Sequence, residues 1–309
     1  MDEPMLPLRQ GTGEGGDEWT RTMHMPEAAE AADGREADWF AALDFVRAMS
    51  RHDRAAVMSA RRKALFTRGA SNAKTRKGLK LADVDTLILH LAPANAAGMG
   101  TVCASATPEC IKLCLNTAGR GGIFAKGKRT NAILQARKRR TRAYFADPAA
   151  FVDRLSRELD LATKRGRPFV VRVNGTSDLP KVALELASRH PDVTFYDYTK
   201  HARPWERQRA NYTLVFSRTE SNDAACFEAL AHGVNVAVVF DTKRGQALPA
   251  TYYGVPVIDG DLTDLRYLDP RGVVVGLRAK GRARTGRSGF VVRVTELPAS
   301  DREEVPDVA

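Results

Sequence analysis

The sequence predicts an α/β protein: a parallel β/α barrel or partial barrel, preceded by a disordered acidic N-terminal tail. Three observations lead there. From residue 86 onward, short apolar runs alternate with segments of helical period, the pattern of a parallel sheet with helices outside. Polar clusters follow most of the predicted strands at once, and the C-terminal ends of parallel strands share one face. No G-x-G-x-x-G follows the first strand, which leaves a flat doubly wound sheet as the runner-up.

The elements follow in order. Residues 1–50 hold eleven carboxylates against four arginines, with many Gly and Ala, and predict a tail lacking a core; Trp39, Phe40, Phe45, Val46 and Met49 make one apolar stripe over residues 38–49. Residues 51–78 read as a basic linker, and the ordered domain is expected over 79–295, with residues 296–309 a disordered C-terminus. Within the domain, residues 86–91 form the first strand and residues 129–146 a strongly basic helix. Asp147-Pro148 caps a second helix, with Phe151, Val152, Leu155 and Leu159 as its buried stripe. Strands are expected over 168–173, 193–197, 212–216, 235–240, 255–258 and 273–277, and helices over 179–190 and 221–232.

Charge and cysteine content restrict function. The chain of 309 residues carries a net charge of +11 despite the acidic tail, so its body is strongly basic. Such a body suits nucleic acid or another phosphate-bearing partner, through counterion release and steering; solubility alone explains such a charge about as well. No apolar run approaches the ~18 residues of a membrane span, and no export signal is visible. The expected location is the cytoplasm, where cysteines serve as ligands or free thiols rather than disulfides.

Three of the four cysteines, Cys103, Cys110 and Cys114, fall in CASATPECIKLC with spacing Cys-x6-Cys-x3-Cys. Pro108 and Glu109 suit a helix start, which puts Cys110 and Cys114 one turn apart on one face. Three thiolates converging from such a loop would hold one metal or cluster. Cys226, in AACFEAL, reads as a small buried residue. Were Cys226, His90 or His201 to join the three, the set would be a closed zinc site.

The polar clusters supply the rest of the expected site. They are Arg172–Asp178, Tyr198–His201, Ser217–Glu220, Asp259–Arg266 and Gly276–Gly281, each after a strand. Asp178, Lys200, Asp259 and Asp261 are the candidate catalytic residues; with Asn174, Arg218 and Glu220 they should converge on the cysteine loop. Asp259, Asp261 and Asp264 also make a carboxylate cluster suited to magnesium-dependent phosphodiester chemistry.

HLAPA at 90–94, CLNTAGRG at 114–121, VRVNGTSD at 171–178, FSRTES at 216–221 and VIDGDLTDLR at 257–266 resemble the gene-product-88 family of actinobacteriophage and prophage proteins. The resemblance spans roughly residues 70 to 285. It implies a phage or prophage setting and brings no activity. The layout is also similar to that of radical S-adenosylmethionine enzymes, which place three cysteines after the first barrel strand. That resemblance implies an iron–sulfur cluster with S-adenosylmethionine on Cys103, Cys110 and Cys114. It also implies a cofactor pocket of Asn174, Ser177, Arg218 and Glu220 beside Asp178, although the usual spacing is Cys-x3-Cys-x2-Cys. Zinc is the alternative metal.

Overall fold

The computed structural model describes residues 64–69 and 75–302. The acidic tail, its apolar stripe over 38–49 and most of the basic linker lie outside them. Among the described residues ten strands form one sheet: β1 (Phe66–Arg68), β2 (Asp85–Leu89), β3 (Phe169–Arg172), β4 (Thr194–Thr199), β5 (Tyr212–Ser217), β6 (Val236–Phe240), β7 (Thr251–Tyr252), β8 (Val255–Asp259), β9 (Val274–Arg278) and β10 (Val291–Val292). The helices are α1 (Thr75–Ala82), α2 (Pro108–Lys112), α3 (Ala132–Ala146), α4 (Pro148–Lys164), α5 (Pro180–Arg189), α6 (Asp223–Ala231) and α7 (Ala299–Arg302).

The strand order is β1-β2-β3-β4-β5-β6-β9-β8-β7, with β10 beside β6. Pairings from β2 through β6, β9 and β8 are all parallel; β1 and β7 pair antiparallel to β2 and β8. From β2 to β6 the chain always steps in the same direction. Right-handed crossovers between strands stepping one way put the connecting helices on one face. The sheet is not closed: its order ends at β1 and β7, and no pairing joins these ends among the described residues.

Alternation along the strands separates two cores. On the helix face, Phe216, Val236, Val238 and Phe240 pack with Cys226 and Ala229 of α6. On the other face, Val215, Ala237 and Val275 pack together, and Val170 and Tyr196 pack against Leu265. Leu265 belongs to the segment after β8, which covers this inner face and brings in Arg266, only 1% exposed and paired with Asp269 at 3.1 Å.

The sheet begins earlier than the sequence analysis placed it. β1 falls within the expected linker, paired Phe66↔Leu89, and the Glu158 carboxylate of α4 accepts the N–H groups of Leu65 and Phe66. Three residues in a basic run carry too little periodicity to announce a strand. The expected C-terminal disorder also starts too early at residue 296, since α7 is helical and its Asp301 accepts from Thr251.

Candidate functional site at the strand C-terminal ends

The cysteine segment leaves β2 and turns back across the sheet. Thr141 of α3 donates to nothing on this segment but accepts the Ala92 N–H at 2.8 Å, fixing the exit from β2. The Asp178 N–H then donates to the Val102 carbonyl at 2.8 Å, and Cys103 lies beside Asp178 in a parallel bridge. Three further contacts attach the loop to later strand ends. Ser105 Oγ lies 3.1 Å from His201 Nδ1, just beyond β4. Thr107 caps α2 by accepting the Cys110 N–H, and its hydroxyl donates to Glu220, beyond β5, at 2.9 Å. Leu113 packs with Ala283 and Val291 around β10.

Burial holds the Cys103 thiol neutral, pushing it up to about 12; the Ala94 N–H opposes this, while Asp178, Cys114 and Cys110 add to it. Cys114 is also pushed up, first by burial, although Lys200 and Arg137 pull the other way. The three cysteines are thus near enough to act on one another's charge. Even so, among the described residues no three His, Cys, Asp or Glu side chains are grouped to hold a metal ion. A metal held by these thiols would have to displace their protons. Cys226 is fully buried on the helix face in α6 and takes no part in this loop.

Asp178 is 8% exposed, and its carboxylate accepts from the Thr199 hydroxyl at 2.9 Å and the Lys200 N–H at 2.7 Å. It therefore ties the β3 end to the β4 end. Asn174 and Ser177 turn to the helix side: the Asn174 side chain accepts from Ser177 Oγ and the Leu179 N–H and donates to Asp197. Asp197 also accepts the Asn174 N–H at 2.7 Å and the Tyr212 hydroxyl, and burial pushes its carboxyl up to about 7 against those bonds.

The remaining expected site residues have other partners. Arg218 donates to Asp223, to the Tyr253 hydroxyl and to the Gly289 carbonyl, joining the β5 end to the approach to β10. Asp259 receives both bonds of Arg278 Nη1, at 2.9 and 2.8 Å, and Asp261 pairs with Lys280. The structure thus brings Asp178, Glu220 and Lys200 to the cysteine loop and ties Arg218, Asp259 and Asp261 to neighbouring segments. Ser105 and Thr107 were missed by sequence reasoning. The Thr-Pro-Glu start of α2 is a capping signal that identifies Thr107, but nothing local identifies Ser105. A cavity of about 400 Å³ lies at the opposite end of the sheet, lined by Arg68, Asp83, Arg165 and Phe169, away from every expected site residue.

The gene product 88 family model matches residues 61–294, three quarters of the chain and all the strands just described. The chain belongs to the gene product 88 family. Membership supports the phage or prophage setting, and the motifs carrying the resemblance form the loops of this face. No curated protein and no solved structure matches the chain. The iron–sulfur, S-adenosylmethionine and zinc expectations find no support in the gene product 88 match. No helix among the described residues is long and apolar enough to cross a membrane.

Proposed function

We propose that this gene product 88 protein binds a phosphate-bearing polymer, nucleic acid, at the C-terminal face of a partial β/α barrel. One observation carries the proposal: seven exposed cations around the cysteine loop make no ion pair among the described residues, although Lys112 within the loop is paired with Glu109. Arg120, Lys126, Lys128 and Arg129 follow the loop, and Arg282, Arg284 and Arg287 precede β10. None of these seven makes an ion pair among the described residues, whereas Arg278 and Lys280 close by are paired with Asp259 and Asp261. The two segments are neighbours: a Cβ on Gly281 would lie 3.6 Å from Ala118, and one on Gly286 would lie 2.9 Å from Leu113. Ile123 and Phe124, 68% and 39% exposed, sit among the cations and offer apolar surface to unstacked bases. The cysteines enter this proposal as part of a loop, not as a ligand set.

Fluorescence anisotropy with labelled single- and double-stranded oligonucleotides tests it. Affinity should fall steeply with salt, and replacing Lys126, Lys128 and Arg129 by Gln should lower the slope by about three phosphate contacts' worth. Binding that ignores salt, or that the triple substitution leaves unchanged, would overturn the proposal.

A further inference from the structure

Beneath the cysteine loop, the inner face of the sheet carries buried hydrogen-bond donors without acceptors. Arg172 ends β3, Tyr198 lies near the end of β4, and Arg137 reaches in from α3. Arg172 Nε, Arg137 Nε and the Tyr198 hydroxyl are each buried without a partner. Their other contacts fix them in place. Arg172 Nη1 donates to Asp264 at 2.9 Å, and its guanidinium lies over the Tyr198 ring, 4.7 Å from the centroid. Arg137 Nη1 donates to the Asn116 carbonyl and side-chain oxygens at 2.8 and 2.6 Å, within the cysteine loop.

Charge here is only partly offset: Arg172 has Asp264 as its partner and Arg140 has Glu158 nearby. His90 lies on this face, two residues beyond Ile88, which pairs in register with Arg172, and its ring packs on Gly175. Burial pushes its pKa down to about 3, helped by Arg137, Arg172 and Arg140, with Asp264 the opposing carboxylate. Asp264 also accepts from the Tyr196 hydroxyl. Arg137 makes no ion pair among the described residues and donates only to carbonyl-type oxygens. Lys200, whose charge reaches Cys114, makes no ion pair among the described residues. Buried donors left over beside two cations without ion pairs, Arg137 and Lys200, call for a ligand that is both anionic and rich in acceptors.

We propose that Arg137, Arg172 and Tyr198 form a binding site for one phosphate group, beneath the cysteine loop and above the ends of β3 and β4. The proposal rests on the nucleic-acid reading for its ligand class and deepens it. The rim would hold the polymer through long-range charge, while these donors take one phosphate with directed bonds. A phosphate offers an acceptor to each donor and offsets the excess charge, whereas a neutral ligand answers only the hydrogen bonding.

The test uses the full chain and inorganic phosphate at constant ionic strength, with chloride and acetate as comparison anions. Calorimetry should show saturable phosphate binding that the other two anions do not reproduce. Tyr198→Phe and Arg137→Gln should each weaken it about tenfold, the loss of a directed bond to a charged acceptor. Arg172→Lys adds a third variant; Tyr198→Phe, the mildest change, keeps the test meaningful should that arginine prove essential for folding. Replacing the rim residues Lys126, Lys128 and Arg129 should weaken oligonucleotide binding far more than phosphate binding. No saturable phosphate binding, or equal binding by Tyr198→Phe and Arg137→Gln, would overturn the site. Oligonucleotide binding without phosphate binding would remove this site and leave the rim, and phosphate binding without oligonucleotide binding would do the reverse.

Discussion

Two buried groups titrate in the same pH window with opposite effects on stability. His90 is depressed to about 3, so the folded state holds it neutral where the unfolded chain binds a proton; its contribution is full above pH 6.5 and is lost as pH falls. Asp197 is raised to about 7 by burial, so the folded state keeps a proton that the unfolded chain releases; its contribution is full below 3.8 and is lost as pH rises. With 1.36 kcal/mol per unit, each change is worth about 3 kcal/mol between about pH 4 and pH 7, and the two nearly cancel. Asp197→Asn should expose the His90 contribution, so that stability gains about 3 kcal/mol relative to the unsubstituted protein as pH rises through this window. His90→Gln should produce a relative loss of similar size. Urea unfolding of the three proteins at several pH values reads the differences directly, provided m-values agree, and surface carboxylates cancel in the comparison. Parallel pH profiles for all three proteins would refute the assignment of these protonation states.

Two further predictions concern the cysteine loop. Thr107→Val removes both the cap of α2 and the bond to Glu220; it should cost about 1 kcal/mol and speed Cys110 modification by a thiol reagent, whereas unchanged reactivity would separate the loop's position from that contact. Plasma mass spectrometry of the purified protein should find substoichiometric iron and zinc. A stoichiometric metal lost on Cys103→Ser, Cys110→Ser and Cys114→Ser alike would restore the ligand-set interpretation.

Strands buried on both faces were legible because their whole run is apolar. β6 (Val236–Phe240) lies inside the expected strand over 235–240, and Val236, Val238 and Phe240 face α6 while Ala237 faces the inner core. The strands β1, β7 and β10, of two or three residues, are too short to carry a period. Helix starts were legible to within a few residues, since α4 begins behind the Asp147 cap as expected, but α3 starts at Ala132 because Asn131 caps it through the Leu134 N–H. The position of the polar clusters at strand ends was legible from topology alone. Their partners were not: Asp264 meets Arg172 and Glu220 meets Thr107 only after the sheet has formed.

Those partners show what the acidic residues at this end do for the scaffold. Where a parallel strand stops, the next backbone N–H groups lose their ladder acceptors, and a nearby carboxylate is the strongest replacement. The aspartates here serve that purpose repeatedly. Asp178 accepts the Lys200 N–H, Asp197 that of Asn174, Asp259 that of Asp261, Asp261 that of Arg278, and Asp241 that of Val294. An aspartate in this position looks the same in sequence whether it closes a strand end or serves a substrate. The cations are distributed differently. Arg278 and Lys280 are taken up by the same aspartates, but Arg137 is held by oxygens of a neutral asparagine, and the rim residues are held by none. With its acidic side bonded within the scaffold and part of its basic side uncommitted, this face of the sheet has the charge distribution that the proposed anion site requires.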